Sequence, residues 1–283
     1  MAFRNLTGFS NLEFETLKNI CLPRLTRRRV GRQQNITAHR KFFVLLTWLR
    51  KYPTFEELSI AFRMTKRKIY TVIKNAIEDV HQPLVSEYIK WYSKQEQEQN
   101  NFAFTNFPQC LAIVDVTVQP IKSPTENQRE WYSGKHKTHV IKSQTINGAD
   151  GRVMHVYSGI NGRVHDIAIW RNSNVEEQFQ NNPILADKAY IGIQHNCQAI
   201  IPIRKPRNRE LTENEKSFNK RVSSDRILIE NYYARLKNKF KILSYRYRGS
   251  ITEYKKNFEI CCALTNFDVQ LRPLRRRNTE NQN

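Results

Sequence analysis

Three acidic residues stand where the local sequence pattern predicts three different structural elements. Asp115 lies in an apolar, β-branched run between Pro108 and Pro120, a pattern typical of a buried strand. Asp187 ends a second short apolar run, and Glu230 falls in a clearly helical stretch. A carboxylate in a buried strand is costly unless it has a partner. We therefore expect two strand-end aspartates and one helical glutamate to form a metal cluster.

The chemistry of such a cluster is specific. Mg²⁺ and Mn²⁺ prefer carboxylate oxygens and retain waters, so few protein ligands are needed when substrate phosphates complete the coordination shell. Two such ions, roughly 3.5 to 4 Å apart, can activate the attacking oxygen and stabilise the leaving oxygen of an in-line phosphodiester displacement. Taken singly, each residue has a plainer reading, because aspartates at strand ends often form turns and helical glutamates are usually solvated.

Five segments around these acids carry a family pattern. They are residues 112–121, 131–136, 162–173, 185–190 and the long block 201–243. In sequence and order they resemble the DDE superfamily endonucleases of PIF/Harbinger-like and IS5-related transposases. The resemblance implies an α/β fold, a ribonuclease-H-like catalytic domain with a mixed sheet. It makes Asp115, Asp187 and Glu230 the first, second and third acids, which would bind two divalent ions, Mg²⁺ or Mn²⁺.

Further polar residues in these segments are candidates to contact phosphate or to support the acids. They are Lys135, His136, Arg226 and Lys237. His165 is another candidate, with a purely structural role as the alternative. Asp166 is the rival for the second acid. Because it opens an apolar-periodic segment, we expect it to support the metal ligands or to cap a helix.

The charge balance points to a polyanionic partner. The chain has 47 Lys and Arg against 26 Asp and Glu, a formal charge of +21. Such an excess also suits an RNA-binding or membrane-surface protein, so it indicates a class of partner without a sequence preference. The basic clusters lie at 24–32, 66–68, 204–209, 237–241 and 272–277, and we expect the last to be a frayed tail.

A helix-turn-helix pattern occupies residues 54–77. We expect a short helix, a turn near 63–65 and a second helix capped by Thr65. Its buried face would comprise Ile69, Val72, Ile73 and Ile77. The residues left to contact DNA would be Lys66, Arg67, Lys68, Tyr70, Thr71 and Lys74. An ordinary helical pair in a bundle is the alternative, but the basic exposed face and the family resemblance favour DNA binding.

The 283 residues accommodate two domains. We expect an all-α DNA-binding domain at 1–92, a linker at 93–107, the endonuclease domain at 108–272 and a basic tail at 273–283. Strands are predicted at 111–118, 139–146, 153–157, 184–187 and 199–203. Helices are predicted near 166, from 225 and around 258–269, and the apolar run 41–49 is too short to span a bilayer and predicts another helix.

The cysteines and termini limit the cellular setting. Five cysteines without zinc-type pairing favour a reducing compartment and a mechanism independent of thiols. The chain shows no signal-peptide or transmembrane pattern. We expect a nuclear protein if the host is eukaryotic, and one in the cytoplasm or nucleoid if it is bacterial.

These observations favour a DNA transposase. As the resemblance implies, it would cut the ends of a transposon in double-stranded DNA and join the freed 3′-hydroxyl to target DNA. Family members act as multimers, so we expect a homo-oligomer, and a separate Myb-like DNA-binding partner is compatible with the family. Two alternatives stay open: a domesticated DNA-binding regulator without catalysis, and a metal-dependent nuclease without strand transfer.

Overall fold

The computed structural model describes residues 2–27 and 36–275. The described residues form two compact units. The first unit contains the chain up to Ile89 together with Leu236–Thr265, and the second contains Lys90–Arg235 together with the residues from Asn266 onward. The first unit is helical, and the second holds a mixed β-sheet with helices, which agrees with the predicted α/β class.

The first unit is built from amphipathic helices with polar caps. Its elements are α1 (Ala2–Thr7), α2 (Asn11–Leu25), α3 (Ala38–Lys51), α4 (Phe55–Phe62), α5 (Lys66–Tyr88) and parts of two later helices. Helix α3 confirms the helix predicted for the apolar run 41–49. The cap residue of each of the helices α2 to α5 accepts a hydrogen bond from a backbone N–H in the first turn of that helix. These bonds satisfy N–H groups that have no partner within the helix, and the cap residues are Ser10, Thr37, Thr54 and Thr65.

Helices α4 and α5 form the predicted pair around a tight turn. Helix α4 ends at Arg63, whose φ of 51° lies in the left-handed region. Thr65 caps α5, as the sequence predicts. The predicted apolar face of α5 is also confirmed, because Ile69, Val72, Ile73 and Ile77 are all buried. The structure therefore contains two helices joined by a tight turn, while a helix-turn-helix motif that binds DNA stays a prediction.

The second unit contains a mixed sheet. Its strands are β1 (Ala112–Pro120), β2 (Tyr132–Ser133), β3 (Thr138–Gly148), β4 (Val153–Asn161), β5 (Ile184–Leu185) and β6 (Ala199–Ile200). The order across the sheet is β2-β3-β1-β5-β6, and β4 also pairs with β3. Strand β3 is antiparallel to β1, β2 and β4, whereas β1, β5 and β6 run parallel. All five predicted strands are present, and the two-residue β2 is additional.

The remaining helices flank this sheet or continue into the first unit. They are α6 (Lys94–Gln99), α7 (Gln128–Trp131), α8 (Asp166–Asn172), α9 (Glu213–Lys239) and α10 (Ile251–Leu271). Helix α9 begins earlier than the predicted start at residue 225. Thr212 and Glu215 bond reciprocally to each other's backbone N–H, which makes a capping box at the true start.

The segment predicted as a linker is packed within the second unit. Ser93 caps α6, and the buried amide of Gln97 donates to the Leu111 carbonyl at 2.9 Å and accepts from the Ala149 N–H at 2.7 Å. The two compact units therefore differ from the predicted division, which ran the second domain without interruption from 108 to 272. In the structure, Leu236–Thr265 group with the first unit.

Burial accounts for the state of the thiols. All five cysteines are buried, and none of them forms a disulfide. Burial raises the pKa of Cys21 and of Cys110 to about 12, so these thiols stay protonated at neutral pH. Among the described helices, none combines the length and the apolar character that a bilayer crossing demands.

Candidate active site

The parallel pairing of β1 and β5 brings two of the predicted acids together. Ile113 pairs with Leu185 in this register, and Asp115 and Asp187 each follow two residues later along the chain. Because side chains alternate along extended chain, each aspartate projects from the same face as the paired residue before it. Asp115 lies inside β1 rather than at a strand end, since β1 continues to Pro120 beside β3. Asp187 lies two residues beyond the end of β5, whereas the sequence predicted a strand that continued to residue 187.

One guanidinium group bridges these two carboxylates. Arg226 Nη2 lies 3.4 Å from Asp115 Oδ2, and Arg226 Nη1 lies 3.5 Å from Asp187 Oδ1. The Arg226 side chain is only 12% exposed, and its Nε has no hydrogen-bond partner among the described residues. Charge-assisted hydrogen bonds usually span about 2.7 to 2.9 Å. Arg226 therefore offsets part of the negative charge of the pair without being locked to either carboxylate.

The third acid lies on the same face of α9 as Arg226. Glu230 follows Arg226 by four residues and precedes Tyr233 by three, a spacing that aligns all three on one helix face. The Tyr233 hydroxyl donates to the backbone carbonyl of Asp115 at 2.8 Å. Arg226 and Tyr233, which come before and after Glu230 on the helix, therefore both contact Asp115. The Glu230 side chain itself is exposed. Within residues 2–27 and 36–275, no three His, Cys, Asp or Glu side chains converge closely enough to hold a metal ion.

The electrostatics of Asp115 favour an added cation. The pKa of this carboxyl is raised to about 6, chiefly by burial and to a smaller extent by the negative charges of Asp187 and Asp166. Arg226 and the Val116 N–H act in the opposite direction, but they do not cancel the burial effect. Oxygen donors at a desolvated position suit Mg²⁺ or Mn²⁺. The donor set therefore fits a divalent metal. Arg226 brings the carboxylates of Asp115 and Asp187 together, and Glu230 lies one helical turn after Arg226 on α9.

Asp166 is held by a lysine close to this pair. Lys142 Nζ lies 2.9 Å from Asp166 Oδ1 and also donates to the Val164 carbonyl at 2.7 Å. The predicted capping role of Asp166 is wrong, because α8 begins at Asp166 and the cap position belongs to His165. The His165 side chain is exposed and makes no capping bond. Asp166 thus supplies negative charge near Asp115 while neutralised by Lys142.

The other predicted residues of this region are Lys135, His136 and Lys237. Lys135 and His136 are exposed in the turn between β2 and β3. Lys237 lies in the last turn of α9, in the first unit, and burial lowers its pKa. Their proposed contacts with phosphate therefore stay predictions.

The predicted DNA-contacting face of α5 is mostly open. Lys66, Arg67, Lys68, Tyr70 and Lys74 are exposed, and Thr71 is half-buried. Two of the predicted basic clusters, 24–32 and 272–277, are only partly described by the structure. Their positions 28–32 and 276–277 lie outside the described residues, as do the last residues of the predicted tail. Arg275, at the start of that tail, lies 3.8 Å from Asp225 and is thereby docked.

Asp225 is a structural residue of the site that the sequence prediction missed. It is fully buried and accepts backbone N–H bonds from Thr105, Asn106 and Phe107 at 3.2, 2.9 and 3.1 Å. These bonds tie the chain just before β1 to the helix that carries Arg226. The signal was present in the sequence, since Asp225 falls on the same helical stripe as the apolar Val222 and Ile229.

Two aspartates from adjacent parallel strands lie beside a helix that carries a basic residue and a glutamate, and this arrangement is compatible with a carboxylate-dependent nuclease. Comparison with known proteins specifies it: residues 114–266, more than half of the chain, match the description "DDE superfamily endonuclease". The chain belongs to this family, whose members usually use divalent metal ions.

A full-length relative extends this assignment. The chain is 24% identical over 278 residues to "Probable transposase for insertion sequence element IS702" from Microchaete diplosiphon, with 95% of each chain covered. No solved structure matches the chain. The family is therefore established at the level of the DDE superfamily, while the PIF/Harbinger or IS5 subfamily stays a prediction.

Proposed function

We propose that this protein is a DNA transposase that cuts transposon ends and joins the freed 3′-hydroxyl to target DNA. The observation that carries the proposal is the convergence of Asp115 and Asp187 on one cation, Arg226, with Glu230 on the same face of α9. The family match and the transposase relative support this reaction class.

Each residue of the cluster has a proposed task. Asp115, Asp187 and Glu230 would hold the divalent ions, which when bound lower the pKa of water and stabilise the leaving oxygen. Arg226 has a planar fork of donors that matches phosphate geometry, so once a metal neutralises the aspartates it can contact the DNA backbone. Tyr233 and Asp225 hold β1 and the chain before it against α9.

The first unit would hold the DNA. Helix α5 presents an exposed row of cations and a tyrosine, which fits phosphate and groove contacts from a helix–turn–helix. A net charge of +21 supports binding of a polyanion and predicts a strong dependence on salt. We further propose that the protein acts as a homo-oligomer on paired ends, with a separate Myb-like partner as an additional component to test.

The test is Mg²⁺-dependent cleavage and strand transfer on DNA that carries the inverted repeats flanking the gene. Wild type should give both cleaved and joined products. Asp115→Asn and Glu230→Gln should abolish both products while DNA binding persists. Glu213→Gln is the matched control on α9, because Glu213 pairs with Lys216 on the helix surface and should be dispensable.

The outcomes separate the alternatives. Cleavage without joined products would indicate a metal-dependent nuclease. DNA binding with no metal-dependent product, in the presence of the partner protein, would indicate a domesticated regulator. If Asp166→Asn abolishes cleavage and Asp187→Asn does not, Asp166 is the second acid.

A further inference from the structure

The first unit contains a cavity that the proposed chemistry does not use. It has a volume of about 610 Å³ and lies among the end of α3, the start of α4, the first half of α5 and the chain around residue 250. All of its lining residues belong to the first unit. Cavities of roughly 300 to 1,000 Å³ are typical of small-ligand sites.

Aromatic rings form much of the wall. Trp48 and Phe55 are nearly parallel, with an interplanar angle of 18° and ring centroids 6.1 Å apart. Tyr70 meets Phe55 edge to face at 5.6 Å. Trp48 is buried, whereas Tyr70 is 41% exposed and stands at the opening. Flat, rigid rings of this kind favour a planar aromatic ligand, which can stack on their faces.

A buried amide supplies an unused hydrogen-bonding atom at the cavity wall. Asn257 is fully buried, and its Nδ2 donates to the Tyr247 hydroxyl at 3.1 Å. Its Oδ1 has no hydrogen-bond partner among the described residues. Exchanging the positions of Oδ1 and Nδ2 by a flip of the amide would leave Nδ2, instead of Oδ1, without a hydrogen-bond partner. Because buried polar atoms are nearly always satisfied, this atom points to a ligand with a complementary polar edge.

Cations border the same cavity. The ammonium of Lys74 lies 5.9 Å from the centre of the Tyr70 ring. Arg248 stacks 4.0 Å from the Tyr52 ring, and carbonyl groups hold its guanidinium in place. Lys66 is paired with Glu56 at 3.0 Å, which leaves Lys74 as the cation best placed to meet an anion. The acidic Glu253 is engaged in capping α10 through Ser250.

We propose that this cavity binds a nucleotide. The base stacks on the aromatic wall, its polar edge hydrogen-bonds to Asn257, and its phosphate is neutralised by Lys74. A free mononucleotide and a base turned out of a DNA duplex present this same chemistry. The site goes beyond the proposed transposase reaction and needs none of the three acids.

The test is titration of the full chain with deoxynucleoside monophosphates, in which binding is measured by calorimetry and by the change in tryptophan fluorescence, since Trp48 lines the cavity. Asn257→Leu and Tyr70→Ala should each weaken binding by at least about tenfold. Lys51→Gln and Glu78→Gln are the matched controls, because these residues lie on α3 and α5 but do not line the cavity. Lys74→Gln should remove the preference for monophosphates over the corresponding nucleosides. Tyr70→Ala changes an exposed side chain, so its result stands even if Asn257→Leu fails to fold.

A second arm distinguishes the two sources of the nucleotide. A duplex that carries one unpaired 2-aminopurine should change fluorescence on binding wild type and not on binding Tyr70→Ala, if the base comes from DNA. Mononucleotide binding without this change assigns the site to free nucleotides.

Three results would overturn the proposal: no binding of either probe, equally tight binding of indole, or loss of binding in Lys51→Gln with Tyr70→Ala unaffected. Asp115→Asn should bind the mononucleotide as wild type does, so failure of the transposase proposal leaves this result intact.

Discussion

The hydroxyl of Tyr233 donates a hydrogen bond to the backbone carbonyl of Asp115 at 2.8 Å. It also shares a hydrogen bond of 2.9 Å with Thr145 Oγ1, and Thr145 is the residue that pairs with Asp115 across β1 and β3. A single side chain of α9 therefore fastens the helix to both central strands at the position of the first acid. We therefore expect this contact to set the orientation in which Asp115 is presented.

Tyr233→Phe should lower the free energy of unfolding by about 1 kcal/mol and reduce the rate of DNA cleavage. Tyr232→Phe is the matched control, because the neighbouring hydroxyl bonds to Asn266 at 3.2 Å and not to Asp115. Urea denaturation should show similar destabilisation of both variants, whereas only Tyr233→Phe should slow cleavage under saturating DNA. Equal activity of the two variants would mean that Tyr233 has no positioning role.

Arg226→Gln should raise the affinity of the DNA-free protein for Mn²⁺, by about tenfold or more. The substitution removes a positive charge that lies 3.4 and 3.5 Å from the two aspartates and competes with the metal for them. Manganese titration followed by electron paramagnetic resonance measures the affinity directly.

The matched control for this prediction is Arg221→Gln. It changes the net charge equally on the same helix, but Arg221 packs over the rings of Phe107 and Phe218. Its affinity for Mn²⁺ should stay near that of wild type. A weaker affinity in Arg226→Gln would show that the guanidinium orders the carboxylates for the metal instead of competing with it.

Features set by local sequence were predictable. The β-branched run around Asp115 forms β1, and Thr65 caps α5, because both depend on residues within a few positions. The start of α9 was equally local, since Thr212 and Glu215 have the spacing of a capping box, yet the prediction missed it by following the apolar stripe alone.

Features set by distant contacts were not predictable from one sequence. The bridging of two aspartates by Arg226 requires the β1–β5 register and the docking of α9 at once. The chain predicted as a linker is held because Asp225 binds backbone groups 118 to 120 positions away, a pairing that no local pattern indicates. The cap position of α8 is His165, and the Asp166 carboxylate pairs with Lys142 of β3.

The stability of the metal-free protein should depend on pH through Asp115. Burial raises the pKa of this carboxyl from 3.8 to about 6, so the folded state binds the proton more tightly than the unfolded state does. Its ionisation therefore destabilises the fold above pH 6, and this cost declines as the pH falls toward 3.8.

Asp115→Asn removes that cost and should stabilise the metal-free protein at pH 7.5, by at most about 3 kcal/mol. The advantage should shrink by about 2 kcal/mol at pH 4.5, where the wild-type carboxyl is protonated in the folded state. Urea unfolding of both proteins in EDTA at the two pH values measures it. An advantage that is constant with pH, or one that grows in acid, would contradict the raised pKa.

Asp225→Asn should destabilise the protein severely, by about 2 to 4 kcal/mol. The carboxylate accepts three backbone N–H bonds and one from the Asn106 side chain, and an amide would turn a donor toward this donor-rich pocket. Because these bonds hold the chain just before β1, hydrogen exchange should increase at residues 105–107 even under conditions where the variant stays folded. Glu213→Gln on the exposed first turn of the same helix should leave both the unfolding free energy and the exchange pattern unchanged. If Asp225→Asn matches that control, the buried carboxylate does not anchor β1, and the position of Asp115 must be maintained by Tyr233 and the sheet alone.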